Sequence, residues 1–196
     1  MTKRREFLRN TYLLGLGLAG GVVSLKGKDL AGRFRLDNPE VSEPVIISTW
    51  NHGIEANEAA WQALQNGGSA LDAVEAGVMV TEADPENLSV GLGGLPDREG
   101  IVTLDACIMD DQGNAGSVCF LQDIVHPISV ARKVMEETPH VMLAGEGALE
   151  FALNQGFEKQ NLLTEKAYKA WQEWLEKEDY QPEINVENHD TIGMVA

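Results

Sequence analysis

Several residue types that mark familiar classes of protein are scarce in this chain of 196 residues. Its two cysteines, Cys107 and Cys119, fit no zinc-site spacing. The uncharged stretch from Asn10 to Leu25 has 16 residues, short of the roughly 20 that a membrane-spanning helix needs. No internal repeat is visible. These absences argue against a zinc-stabilised domain and an integral membrane protein.

Basic residues are scarce beyond the N-terminal segment. Eight of the 15 Lys and Arg residues lie in residues 1–35, and the remainder carries 7 basic and 29 acidic side chains, a net charge of −22. Nucleic acids and anionic membranes require clustered cations, so neither is an expected partner of this acidic body. The negative charge mainly favours solubility.

The four histidines show no pair at metal-ligand spacing on one element; they are His52, His126, His140 and His189. The acidic turn at 110–114 lacks the alternating oxygen ligands of a calcium loop. We therefore expect no metal and no other cofactor.

The N-terminal segment is typical of an export signal. A basic run at residues 3–9 precedes the uncharged stretch, and the two together resemble a twin-arginine signal. A basic arm that is disordered or rests on a membrane is the alternative. The sequence predicts an export signal and the start of a linker over 1–35, further linker over 36–44, and a periplasmic or secreted protein without stable membrane insertion.

The body of the chain predicts one layered α/β (α+β) domain. With 43% hydrophobic residues, it can bury one sizeable core. Ser69, with Asp72 three residues on, predicts a helix start. A buried strand is expected at 45–49, two further strands near 101–109 and 115–121, and helices near 55–66, 70–82, 128–137, 144–155 and 163–178.

Three further features of this body support structural predictions. Cys107 and Cys119 flank a predicted hairpin turn, where buried free thiols are favoured over a disulfide. The glycines from Gly91 to Gly94 do not complete a nucleotide-binding pattern. They predict a turn that leads into the next strand. Trp171 and Trp174, three residues apart, predict packing on one helix face.

The run from Asn188 to Gly193 contains an Asp-Thr pair that can generate a nucleophile. If the Asp190–Thr191 bond is cut, Thr191 gains an α-amino group with a pKa of about 7.7–8.0, which can serve as base for its own hydroxyl. The hydroxyl can perform the cut by attacking the Asp190 carbonyl, with Asp190 as local base. As a bare dipeptide, the pair would be an ordinary loop before a strand.

Six blocks of the sequence together resemble glycosylasparaginase, also called N4-(β-N-acetylglucosaminyl)-L-asparaginase; they are residues 48–51, 91–97, 102–110, 127–132, 139–143 and 189–194. This family belongs to the N-terminal-nucleophile (Ntn) hydrolases. The resemblance implies a four-layer αββα sandwich, of which the α-subunit portion occupies 45–190 and the start of a truncated β-subunit occupies 191–196.

The resemblance also implies an activity and residue roles. The expected reaction is hydrolysis of the amide that joins N-acetylglucosamine to an asparagine side chain, with Thr191 as nucleophile. It implies that Asp190, Thr191 and His189 take part in self-cleavage, His189 by shaping the cleavage loop. Trp50, at the end of the predicted buried strand, is expected to bind substrate, and the family forms αβ heterodimers that dimerise.

The resemblance places the remaining substrate-binding and oxyanion groups in a segment after the nucleophile strand. We therefore expect the chain ending at Ala196 to be catalytically incomplete alone. An isoaspartyl peptidase or L-asparaginase of the same superfamily is the nearest alternative. A non-catalytic, exported acidic binding domain is the alternative from another class.

Overall fold

The computed structural model describes residues 43–177 and 191–196. The predicted export signal, most of the linker, His189 and Asp190 lie outside the described residues. No helix within the described ranges has the length and apolar character needed to cross a membrane. In chain order the elements are β1 (Ile47–Ser48), α1 (Gly53–Gln65), α2 (Ala70–Glu82), β2 (Leu104–Met109), β3 (Ala115–Leu121), α3 (Pro127–Glu137), β4 (Met142–Ala144), α4 (Gly145–Asn154), α5 (Glu165–Lys177) and β5 (Met194–Val195).

The strands form two sheets. In one, β2 and β3 make an antiparallel hairpin and β4 runs parallel to β3. In the other, β1 and β5 pair antiparallel across the length of the sequence. This mixture of helix and sheet confirms the predicted α/β class, and the predicted helices match the observed ones to within two residues.

The main core lies between α3 and the hairpin. Alternate residues of β2 point inward, with Leu104 and Ile108 buried and Asp105, Cys107 and Met109 exposed. Against this face α3 places Val130 and Val134, which are completely buried. Each such valine stabilises the fold by about 1.5–3 kcal/mol relative to an exposed position. Ile108 and the two valines therefore meet in the main core, whereas Leu104 belongs to a smaller cluster with Val102 and Leu162.

A capping box begins α2 as the sequence predicts. The Asp72 N–H donates to Ser69 Oγ at 3.2 Å, and the Ser69 N–H donates to Asp72 Oδ2 at 2.8 Å. These bonds satisfy backbone donors that the first helical turn leaves unpaired. Hydrogen bonds from the Ser69 backbone and side chain, and then from Arg132, lower the pKa of Asp72 to about 2.

The buried Glu82 side chain joins three parts of the fold. Its Oε1 accepts a hydrogen bond from the Ile128 N–H at 3.1 Å, near the start of α3, and its Oε2 lies 3.2 Å from His126 Nδ1. Its backbone carbonyl accepts from the Leu92 N–H at 2.7 Å. Burial raises the pKa of the Glu82 carboxyl. One residue therefore ties the end of α2 to the glycine-rich turn and to α3.

Two burial predictions were wrong. β1 was expected to be a buried strand, but Val45 and Ile47 are 57% and 60% exposed. The reason is that β1 has β5 as its single neighbour among the described strands, which leaves its outer side chains in solvent. The thiols were expected to be buried and free; both are free, but Cys107 is exposed because it lies on the outward face of β2.

We predict that Ser69→Ala and Asp72→Asn each lower the free energy of unfolding at pH 7 by about 1 kcal/mol, the usual effect of losing a helix cap. The pKa of Asp72 is lower in the folded state, so its contribution is present above the ordinary value of 3.8 and is lost as pH falls toward about 2. Urea unfolding of wild type and Asp72→Asn should converge over that range. A constant difference between them would contradict the prediction.

A second stability prediction concerns Glu82. Glu82→Leu should cost about 1–3 kcal/mol because the Ile128 N–H loses its acceptor, whereas Glu82→Gln keeps an oxygen there and should cost less. The folded-state pKa is raised, so wild-type stability falls as pH rises from the ordinary value of 4.5 through the folded value. The Gln variant should lack this fall. Parallel unfolding profiles against pH would overturn the assignment.

Candidate active site

The segment that begins with Thr191 is held by pairing with β1. Ile47 pairs with Val195 and Ser48 with Met194, and the Thr49 N–H donates to the Gly193 carbonyl at 3.0 Å. Because the pairing is antiparallel, Thr191 and Trp50 lie at the same end of this small sheet. Two predicted site residues that are far apart in sequence therefore lie at one end of the same two-stranded sheet.

The Thr49 hydroxyl extends this pairing by one step toward Thr191. Thr49 Oγ1 accepts a hydrogen bond from the Gly193 N–H at 2.9 Å and donates to the Thr191 carbonyl at 3.4 Å. The Thr191 residue itself is exposed. Its backbone is therefore held from one side while its side chain lies at the surface.

The two residues that flank Gly193 anchor the segment to the domain. The Ile192 side chain is buried in the main core with 9% exposure. Met194 packs on Gly77 of α2, where an added Cβ would lie 2.6 Å from Met194 Sδ and 2.7 Å from the Ala56 carbonyl oxygen. Only glycine at 77 admits this contact. The residues after Thr191 thus have fixed positions relative to α1 and α2.

Trp50 lies at the turn between β1 and α1. Its φ angle is +61°, a left-handed conformation that costs a residue with a side chain about 1–2 kcal/mol. The Trp50 carbonyl accepts from the Gly53 N–H at 3.2 Å, and Ser48 Oγ donates to the Gly53 carbonyl at 3.0 Å. The indole is 37% exposed. Unfavourable backbone angles of this kind cluster at functional sites, which is consistent with the role predicted for Trp50.

The glycine-rich block forms a compact turn before β2, as its sequence predicts. Gly91 has a φ of +63°, and a Cβ there would lie 2.1 Å from the Glu82 carbonyl oxygen. The Gly93 N–H donates to the Leu162 carbonyl at 2.9 Å. These contacts explain why glycine occupies both positions, because the backbone passes too close to its neighbours for a side chain.

A cavity of about 400 Å³ lies between this turn and α5. Its lining residues are Leu88, Leu95, Pro96, Asp97, Arg98, Ala170, Trp171 and Trp174. Trp171 lies against Tyr168, with ring centroids 5.7 Å apart and planes tilted by 59°, and packs over Gly100, which agrees with the predicted packing role. Trp174 is partly exposed beside it. Neither Trp50 nor Thr191 lines this cavity.

Thr49 lies in the block at 48–51, but the sequence did not predict the hydrogen bonds of its hydroxyl to the backbone of residues 191–193. The available signal was a threonine at the end of a strand that precedes Trp50, since a hydroxyl there can replace a backbone partner. Within 43–177 and 191–196 no group of three His, Cys, Asp or Glu side chains could hold a metal ion.

A family profile described as asparaginase matches residues 45–196. The chain belongs to this asparaginase family. It is 53% identical over 194 residues to the N(4)-(beta-N-acetylglucosaminyl)-L-asparaginase of Elizabethkingia miricola, covering 98% of this chain and 56% of that protein. The identity to the enzyme of that name from Rattus norvegicus is 37% over 184 residues, covering 78% and 53%.

The chain is also similar to enzymes that carry another name. A plant-type L-asparaginase of Pyrococcus abyssi is 46% identical over 124 residues, covering 63% of this chain and 40% of that protein. The chain spans about half the length of the glycosylasparaginases it matches. These similarities confirm the resemblance to glycosylasparaginase, and the roles of Thr191 and Trp50 stay predictions.

The Met194 contact yields a test of how the site is held. Gly77→Ala should lower the free energy of unfolding by about 1–3 kcal/mol because its Cβ collides with Met194 and with the backbone of α1. The control is Gly147→Ala in α4, where the added Cβ meets no atom within 4 Å. There the better helix propensity of alanine should leave stability unchanged or slightly higher. Equal effects of the two changes in thermal unfolding would contradict the proposed contact.

Proposed function

We propose that the full-length protein is a self-processing amidohydrolase that cleaves the bond between N-acetylglucosamine and the side-chain amide of asparagine. Cleavage between Asp190 and Thr191 would make Thr191 the N-terminal nucleophile. The observation that carries the proposal is the position of Thr191, exposed at the end of the β1–β5 pair beside Trp50 and anchored through Ile192 and Met194. The names of the relatives supply the substrate class.

The proposed chemistry uses one residue as nucleophile and base. After processing, the Thr191 amine takes the hydroxyl proton while the hydroxyl oxygen attacks the side-chain carbonyl of the substrate. The amine returns the proton to the departing glycosylamine, which leaves a β-aspartyl ester on Thr191. Water then hydrolyses the ester and releases aspartate. Trp50 would provide a rigid, amphipathic wall of the substrate pocket.

The four-layer αββα arrangement is part of this proposal. The outward face of the three-stranded sheet carries Met109 and Met142, which are 68% and 58% exposed, beside Cys107. Apolar side chains on the open face of a sheet are those that a second sheet covers in a sandwich. In the full-length protein this face would pack on strands of the β-subunit, giving an αβ heterodimer that dimerises.

The proposal includes export. The basic run at 3–9 followed by an uncharged stretch supports a twin-arginine signal and a periplasmic or secreted location. The substrate, a glycosylated amino acid from degraded glycoprotein, is consistent with such a location. Comparing the N-terminus of the protein from the culture medium, the periplasm and the cytoplasm would test this part separately.

An L-asparaginase or isoaspartyl peptidase is the second candidate because the plant-type L-asparaginase of Pyrococcus abyssi shares 46% identity over part of the chain. The alignments with glycosylasparaginases extend over 184 and 194 residues, against 124 for the plant-type enzyme. The alignment with the Elizabethkingia miricola enzyme covers 98% of this chain, against 63% for the plant-type enzyme. This favours the glycosylated substrate.

The test uses the full-length protein encoded at its source. We expect mass spectrometry and N-terminal sequencing to find a chain that begins at Thr191, and we expect hydrolysis of N-acetylglucosaminyl-asparagine to exceed that of β-aspartyl dipeptides. Thr191→Ala should abolish processing and lower hydrolysis by roughly 10⁴-fold or more, the scale for loss of a catalytic nucleophile. Thr191→Ser keeps a hydroxyl and should retain part of both activities.

Gly147→Ala in α4 is the control, because an added Cβ there meets no atom within 4 Å and lies outside the proposed site, so the change should alter neither activity. Preferential hydrolysis of β-aspartyl dipeptides would favour the second candidate. An intact, uncut chain with no amidase activity, unaffected by Thr191→Ala, would favour a non-catalytic acidic binding domain.

A further inference from the structure

We infer that Thr49 is a positioning residue for Thr191, whose hydroxyl fixes the backbone of the nucleophile for self-cleavage and hydrolysis. This inference rests on the proposed function, because it assigns to Thr49 a role at the same site. Thr49 itself would touch no substrate atom. It would act through the peptide group that follows Thr191.

The hydroxyl bridges two peptide groups of the nucleophile segment. It accepts from the Gly193 N–H at 2.9 Å, a well-formed hydrogen bond, and it donates to the Thr191 carbonyl at 3.4 Å, a longer contact. The direction of the Thr191 carbonyl sets the ψ angle of Thr191. That angle in turn determines how the amine and side chain of Thr191 project relative to β5.

The surrounding backbone explains why a side chain is needed here. The β1 backbone pairs with β5 up to the bond between the Thr49 N–H and the Gly193 carbonyl. Trp50 then turns the chain away at a φ of +61°. The hydroxyl of Thr49 is in the correct place to continue the contact with residue 191 after the β1 backbone has turned.

Thr49 is well suited to this task because its side chain is stiff and its own backbone is fixed. A β-branched residue has few χ1 rotamers, so the hydroxyl loses little freedom in this contact. The other end of the segment is anchored by Ile192 in the core and Met194 on Gly77. The Thr49 contact therefore adds to this attachment a hydrogen bond that acts on the direction of the Thr191 carbonyl.

The experiment compares Thr49→Val, which keeps the shape without the hydroxyl, with Thr49→Ser, which keeps the hydroxyl. Both are made in the full-length protein. The rate at which a chain beginning at Thr191 appears is followed by mass spectrometry. We expect Val to slow processing by roughly tenfold to a hundredfold, the scale for a misplaced reacting group, and Ser to stay within about threefold of wild type.

Thr138→Val is the matched control. The Thr138 hydroxyl makes the same kind of bridge, donating to the Val134 carbonyl at 2.7 Å and accepting from the His140 N–H at 3.0 Å, but at the end of α3. Thermal unfolding should show comparable losses of stability for Thr49→Val and Thr138→Val. Only the first should slow processing. Thr49→Ala serves as a second variant without a hydroxyl if valine prevents folding.

Processed enzyme gives a further readout. For the Val variant that has been processed, kcat should fall while KM stays within about twofold, because the hydroxyl orients the nucleophile and leaves substrate contacts unchanged. Processing and kcat at wild-type values in Thr49→Val would overturn the inference, as would equal slowing by Thr138→Val or no rescue by Ser. If the wild-type protein yields no chain that begins at Thr191, the proposed function fails. If the wild-type protein is processed and the Thr49→Val variant is processed equally fast, only the positioning role of Thr49 fails.

Discussion

The antiparallel pairing of β1 with β5 is the constraint on which the site depends. It brings residue 193 to residue 49 across most of the chain, and two bonds at 3.0 and 2.9 Å join those residues. The pairing sets the register of the segment that begins with Thr191 against β1. The small sheet therefore fixes where the proposed nucleophile lies on the domain.

The pairing is only two registered positions long, so it needs support from the helices behind it. Short isolated strand pairs are marginal in water, and packing must supply the stability. Here Met194 lies on Gly77 and Ile192 enters the core cluster. The α1–α2 pair therefore serves the site indirectly, because Gly77 lets the β5 segment approach α2 closely.

A second line of support runs through Glu82. Its carboxyl group accepts a hydrogen bond from the start of α3, and its backbone carbonyl accepts one from the glycine-rich turn. The end of α2, the turn and the helix that covers the hairpin are therefore joined through one buried residue. A buried carboxyl is costly unless it is hydrogen-bonded. Its partners explain why a charged residue is tolerated there, and why the turn has the shape it has.

Much of this fold could be predicted from the sequence because the signals are local. The Ser69 and Asp72 pair, the alternation of Leu104, Ala106 and Ile108, and the helix periodicities depend on neighbours within a few residues. The Asp-Thr pair and the chemistry open to Thr191 are likewise properties of covalent structure. Motif resemblance gave the family, which the profile over 45–196 confirms.

Only the tertiary structure decided which distant residues contact each other. The exposure of Ile47 and Cys107 depends on which elements cover each sheet face, and the strand pattern alone does not contain that information. The Thr49 hydroxyl meets the backbone of residues 191–193 across 142 and 144 positions of sequence. No local propensity encodes such a contact. The sequence alone carries the Asp-Thr pair and its possible chemistry, and the tertiary structure decided that the Thr49 hydroxyl meets the backbone of residues 191–193, because such contacts form only when distant segments pack together.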